Sequence, residues 1–193
     1  LAGDSLFLDS YALIAEAALP SQIKVNLIAE LSLAAGTFGM VGGQVLDMQG
    51  EGKDISLAEL QTIHANKTGK LLTYPFIAAG LIAEVGESQQ EKLKAIGQLL
   101  GLAFQVRDDI LDITANFEDL GKTPQKDVAA EKATYPAILG LNGAKRFFEE
   151  QLEETEHLLA EVETELAFSG VAIRKIIESL KLNDERKSRC SSL

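Results

Sequence analysis

Apolar residues recur at spacings of three and four along nearly the whole chain, and no stretch alternates as a half-buried strand would. That period commits the chain to an all-α fold. The spacing predicts helices at about 4–18, 21–49, 56–85, 88–115, 134–141, 142–168 and 170–185. Candidate N-caps are Asp4, Ser5, Ser56 with Glu59 three residues on, and Ser88 with Glu91 three on. Pro20 and Pro124 mark interruptions, whereas Pro75 is expected to kink a long helix rather than end it. One segment, 116–133, has no period and mixes Gly, Pro, Lys and Asp. A loop of that length is usually functional when ordered.

The 193 residues can bury a core without a disulfide or metal staple, so one domain over 1–193 is expected. Hydrophobic residues make up 46% and there are only four prolines, which describes a folded chain. A formal charge of −11 argues against a nucleic-acid partner, which needs a basic stripe. The single cysteine, Cys190, cannot form an internal disulfide, which suits a reducing compartment. No signal peptide is visible, and the apolar run Leu71 to Val85 is short for a bilayer and holds Pro75 and Gly80. A cytoplasmic protein without membrane insertion is expected. The chain opens Leu1-Ala2-Gly3-Asp4 with no initiator methionine, and reads as a piece of something longer.

Chemistry concentrates in Phe104-Gln105-Val106-Arg107-Asp108-Asp109-Ile110-Leu111-Asp112. At about 100° per residue, Gln105, Asp108, Asp109 and Asp112 share an arc of roughly 100°, with Phe104, Ile110 and Leu111 turned toward a core. Mid-helix aspartate costs up to ~0.7 kcal/mol against alanine. The like charges of Asp108 and Asp112, at i,i+4, add a few tenths. A solvated acidic face is one explanation; a bound cation is the other. Hard oxygens with room for water suit magnesium, which commonly arrives with phosphate.

Other segments supply what such a site needs. Gly36, Gly39, Gly42 and Gly43 lie within the predicted helix 21–49, each costing ~1 kcal/mol there, and imply close approach of a helix or a ligand. Gln44 and Asp47 follow on one face. Lys67 and Thr68, followed by Gly69, set a cation and a hydroxyl side by side, as an anionic oxygen cluster requires. His64 is expected to be structural. Lys122, Lys126 and Lys132 follow the carboxylates in the aperiodic segment. Carboxylates cannot bind a diphosphate directly, so magnesium must bridge and lysines must offset the remaining charge. The glutamate-rich stretch 142–168 reads as an outer helix with one wet face and no chemical role, and His157 on it as solvated.

On Gly43-Gln44-Val45-Leu46-Asp47, Lys67-Thr68-Gly69, the Phe104–Asp112 run, Gly121-Lys122 and Lys132-Ala133-Thr134-Tyr135-Pro136, the chain resembles a trans-isoprenyl diphosphate synthase of the farnesyl/geranyl type. Phe-Gln followed by DDxxD is similar to that family's second aspartate-rich motif. The resemblance implies an isoprenoid synthase-type bundle of long helices around a central cavity, usually a homodimer. It also implies magnesium-dependent head-to-tail transfer: an allylic diphosphate ionises, isopentenyl diphosphate attacks the cation, and a proton is lost.

By resemblance, Asp108 binds magnesium directly, and Asp109 and Asp112 act largely through water. Lys67 and Lys122 contact the allylic diphosphate, Thr68 and Gln105 face the carbocation, Gln44 and Asp47 line the cavity, and Lys132 lies near the diphosphates. The family's first aspartate-rich motif and its Gly-Gly-Lys-Arg segment do not occur here. The chain is therefore expected to be the C-terminal two-thirds of such an enzyme, with little or no catalysis alone. A non-catalytic partner subunit of a heteromeric synthase, a terpene cyclase and a plain helical interaction module are the alternatives.

Overall fold

A computed structural model of the chain describes residues 1–120 and 133–182, with the backbone alone for 115–120. Among the described residues the regular structure is entirely helical. The helices are α1 (Ala2–Glu16), α2 (Ser21–Ala35), α3 (Met40–Gly50), α4 (Leu57–His64), α5 (Lys70–Ile82), α6 (Glu87–Leu120), α7 (Tyr135–Leu139), α8 (Leu141–Leu166) and α9 (Val171–Leu180). A π-helical turn, Ala65–Gly69, joins α4 to α5 without a break.

Helix α6 is the axis. Ile96, Leu100, Ala103, Val106 and Ile110 recur on it at three and four, and all are buried. They pack with Phe148, Leu152, Leu159 and Val162 of α8 and Ile177 and Leu180 of α9 in one core. Burying each such large side chain contributes about 1.5–3 kcal/mol. The other face of α8 carries its glutamates to solvent, as its pattern predicts. Lys92 of α6 reaches Glu161 at 2.6 Å and Glu165 at 2.5 Å on α8, and Arg174 of α9 forks onto Glu163 through two bonds of 2.6 Å. These pairs hold helix edges in register more than they add stability.

The opposite flank of α6 carries glycines where a neighbour's backbone must come close. A Cβ at Gly97 would lie 2.8 Å from the Thr73 Cα, and one at Gly101 would lie 3.0 Å from the Gly69 Cα. A Cβ at Gly43 would overlap the backbone N and Cα of Lys67. Helices α3 and α6 thus both press, backbone to backbone, on the π turn and the start of α5.

The structure departs from the expected helices at four places. The predicted helix 21–49 is two helices, because the Gly36 carbonyl accepts the N–H groups of Gly39, Val41 and Gly42 and folds 36–39 into a turn. The 21–50 stretch has the length and apolarity to cross a membrane, but the turn breaks it, and Ile23, Leu27 and Leu31 are buried within the fold. The predicted helix 56–85 keeps its capped start, where Ser56 and Glu59 bond reciprocally, and passes through Pro75, but it contains the π turn. Helix α6 begins at Glu87, with the Gln90 N–H bonded to the Gly86 carbonyl, so Ser88 sits inside the first turn rather than capping it. Asp4 is likewise inside α1, since the Ser5 N–H bonds the Leu1 carbonyl. Between α7 and α8, Gly140 at φ 72° takes a left-handed turn that divides two helices expected as near neighbours.

Tyr135, the first residue of α7, has no exposed surface and lies between the rings of His64 (5.5 Å) and Phe147 (5.8 Å, stacked). Its hydroxyl has no hydrogen-bond partner among the described residues. Burial, and then the nearby Asp109 carboxylate, push its phenol well above the ordinary tyrosine range. Burial chiefly raises that of Tyr74 too, whose hydroxyl donates to the Leu27 carbonyl at 3.3 Å and ties α5 to α2.

Gly43→Ala should lower stability by about 1–3 kcal/mol in denaturant unfolding, because backbone must move to admit the methyl group. Gly3→Ala, where an added Cβ meets nothing within 4 Å, should stabilise by up to ~1 kcal/mol. A second expectation concerns alkali. An unfolded phenol ionises near 10, while the folded Tyr135 keeps its proton, so stability should be full below pH 10 and fall as pH rises above it. Tyr135→Phe removes a buried hydroxyl that is unpaired among the described residues, so it should match or exceed wild type by up to about 1 kcal/mol. The same variant should flatten the loss above pH 10, measured by unfolding midpoints across pH.

Candidate active site

Val106 and Ile110, buried in the core, set the rotation of α6 and so turn its acidic face away from the core. On that face Asp108 and Asp112 are exposed, and Gln105 and Asp109 are half-buried. Phe104 differs from expectation: it is 39% exposed instead of joining the core. It precedes Asp108 by one turn and borders the acidic face. Leu111 packs against the core, as expected. The Asp109 carboxylate is engaged, with Oδ2 accepting the backbone N–H of Tyr135 at 2.9 Å.

The π turn presents the basic side of the site. Lys67 Nζ donates to Asp47 Oδ2 at 2.6 Å, between side chains that are 31% and 16% exposed. A charge-assisted bond this short fixes the direction of the ammonium group. Asp47 is able to reach it because Gly43, one turn earlier on α3, brings that helix onto the Lys67 backbone. Gln44, on the same helix, is exposed. Thr68 is half-buried, and the next residue, Gly69, is the one that Gly101 meets, one turn before Gln105. The structure thus joins Asp47 directly to Lys67. It also brings the Lys67–Thr68 turn within about one helical turn of Gln105 along α6. Lys122, Lys126 and Lys132 lie outside the described residues.

A cavity of about 630 Å³ opens beside this turn. Gly69 and Thr73 line one wall, Gln98 and Leu102 of α6 another, and Leu33 and Phe38 a third. Gln98 and Leu102 precede Gln105 and Asp109 by seven residues each, so they share their side of α6. From Leu102 to Asp109 is about 10 Å along the helix. An apolar volume and a polar, charged rim therefore meet on one helix face.

Among the described residues, no three Asp, Glu, His or Cys side chains converge as a self-sufficient metal site. Asp108 and Asp112, one turn apart and open to solvent, fit a cation that takes one or two carboxylates and completes its shell with water and phosphate oxygens. That is the habit of magnesium. The glycine pair Gly97 and Gly101 escaped the sequence reading, although small residues one turn apart ahead of an acidic run mark a close contact. Tyr135 was visible there only as part of a motif, since its link to Asp109 spans 26 residues and follows no period.

The chain matches the polyprenyl synthetase family over residues 1–167. It is 45% identical over 155 residues to the farnesyl diphosphate synthase of Micrococcus luteus, covering 80% of this chain and 53% of that protein. It is 41% identical over 187 residues to that of Geobacillus stearothermophilus, covering 95% and 62%. The chain thus spans little more than half the length of these relatives. Among solved structures, a putative farnesyl-diphosphate synthase from Marinomonas superposes with a TM-score of 0.76 at 34% identity, over 93% of this chain and 60% of that one. The geranyltransferase of Helicobacter pylori, complexed with magnesium and isoprenyl diphosphate, superposes at 0.72 with 31% identity, over 92% and 57%. With this match and the helical architecture around α6, the chain belongs to the polyprenyl synthetase family of trans-isoprenyl diphosphate synthases and has their all-α isoprenoid synthase fold.

Proposed function

We propose that the protein to which these residues belong is a magnesium-dependent prenyltransferase that condenses isopentenyl diphosphate with an allylic diphosphate, in the manner of a farnesyl or geranyl diphosphate synthase. The observation that carries the reading is the single face of α6 on which Leu102, at the cavity, gives way within ten residues to Gln105, Asp108 and Asp112. An apolar chain with an anionic head fits such a gradient. The farnesyl diphosphate synthase relatives and the magnesium- and isoprenyl-diphosphate-bound neighbour support the same substrates.

In this reading Asp108 holds magnesium, with Asp109 and Asp112 in its outer shell. When bound, the ion neutralises diphosphate charge and so favours departure of the leaving group. Lys67, aimed by Asp47, and Lys122 take part of the same charge, and Lys132 lies near it. Thr68 and Gln105 turn oxygens toward the allylic cation. Gln44 and Asp47 stand on the substrate-binding side of the site, and the apolar wall of the cavity keeps water from quenching that cation. The exposed Leu6, Leu8 and Leu13 of α1 favour a second subunit, which we take to be another copy.

The test is thermal unfolding with magnesium, with a non-ionising allylic diphosphate analogue, and with both. At 100 times its dissociation constant the pair should add about 2.7 kcal/mol, while either alone adds far less. Asp108→Ala should abolish the joint effect. Equal stabilisation of Asp108→Ala and wild type would overturn the assignment of the carboxylate face.

A further inference from the structure

The cavity beside the π turn has a near end and a far end. Helices α5 and α6 run antiparallel, with Gly69 against Gly101 and Thr73 against Gly97. Ile77, one turn beyond Thr73, therefore stands near the level of Lys94, and its carbonyl accepts the side-chain amide of Gln90 at 3.1 Å. Both Ile77 and Lys94 line the cavity. Around α6, Lys94, Gln98, Gln105 and Asp112 fall within an arc of about 40°, so the cavity follows the face that carries the carboxylates.

The lining changes character along that face. Leu102 and Leu99 of α6 and Leu33 and Ala34 of α2 wall the stretch nearer the π turn. Helix α2 leads up toward the turn, so Glu30 lies one helical turn farther from it than Leu33, as Lys94 does from Gln98. Tyr74 also lines this end and donates its hydroxyl to the Leu27 carbonyl at 3.3 Å. Burial, then Tyr11 and the Glu30 carboxylate, raise its phenol, as a carboxylate standing close by requires. The Lys94 Nζ lies 3.5 Å from Glu91, and its side chain is 42% exposed. An apolar channel thus ends in charge and water.

We propose that Glu30 and Lys94 set the length of the apolar chain that the cavity accepts, and that the limit is three isoprene units; this rests on the prenyl reading given above. From Asp108 to Lys94 is about 21 Å along α6. The ion and the phosphates take roughly 6 Å of that, with metal–oxygen bonds of about 2 Å. A fully extended chain spans about 1.2 Å per bond, so the four bonds of an isoprene unit need about 5 Å and three units fill the remainder. A fourth unit would lie beside two charged groups and water, where its carbon gains no burial and the charges lose hydration.

Tail and head can be measured apart. Calorimetry would give the affinities of geraniol, farnesol and geranylgeraniol, and separately that of inorganic diphosphate with magnesium. The proteins are wild type, the double variant Glu30→Leu with Lys94→Leu, Ile77→Phe and Glu154→Leu. In wild type, farnesol should bind about tenfold or more tighter than geraniol, and geranylgeraniol within about threefold of farnesol. The double variant, whose far end is apolar, should bind geranylgeraniol about tenfold or more tighter than farnesol. Ile77→Phe fills the same end from α5 and should erase the preference for farnesol over geraniol. Glu154 lines the cavity two turns from Glu161, which Lys92 reaches, and so stands short of the far end. Glu154→Leu should therefore leave the series as in wild type. The proposal fails if wild type prefers geranylgeraniol tenfold or if no alcohol binds. It fails equally if the double variant or Ile77→Phe keeps the wild-type series, or if Glu154→Leu extends it as the double variant does. Diphosphate with magnesium reports on the carboxylates alone: if it fails to bind while the alcohols follow the expected series, the magnesium reading falls and the length limit stands.

Discussion

The contact on which the rest of the structure depends is the backbone-to-backbone approach at the π turn. Gly101 of α6 meets Gly69, Gly97 meets Thr73, and Gly43 of α3 meets Lys67. Three glycines therefore bring two helices against one short segment from different sides. Each forgoes the ~1 kcal/mol that alanine would add to its own helix. The return is an approach too close for any Cβ, which places an ammonium group and a hydroxyl between a helix of carboxylates and a helix bearing Asp47. The dispersion contacts recovered along the whole crossing offset the loss.

Electrostatically the arrangement divides labour. Asp47 and Lys67 satisfy one another at 2.6 Å, so a lysine close to an apolar cavity has its own counter-ion. Leaving such a charge unpaired in a partly desolvated place is costly. Of the aspartates of α6, Asp109 is tied to the backbone of α7, and Asp108 and Asp112 are exposed. A run of three similar residues thus enters two different environments, because 100° per residue turns Asp109 toward α7 and its neighbours outward.

Much of this was legible in the amino-acid order. The three-and-four period announced an all-helical chain, Ser56 and Glu59 announced a cap that forms as expected, and the acids of α6 do share a face. The wet face of α8 was also readable, and His64, expected to be structural, is buried. What stayed hidden depends on backbone geometry or distance along the chain. A cluster of glycines reads equally as a tight helix contact and as a break, and here Gly43 is the first while Gly36 and Gly39 are the second. Phe104 looked like core because it is large and apolar, but its angle on α6 places it beside Asp108. The link from Asp109 to Tyr135 obeys no period. Lys122 and Lys132 lie outside the described residues.

The π turn also sets a phase. Relative to an unbroken α-helix, a π turn accommodates one residue too many, and that surplus is worth about 100° of rotation. The side chains of α4 and α5 are thereby indexed to different zero angles, although the rod they form is continuous. His64 can look toward Tyr135 while, just beyond it, Lys67 looks toward Asp47. Excising a single residue from 65–69 would let the segment relax into ordinary α-helix, losing no length that matters and no core contact on α4. Everything downstream would keep close to its present angle, because the π turn already absorbs the surplus residue. The helix works as a spliced shaft, and the splice is where the extra residue is taken up.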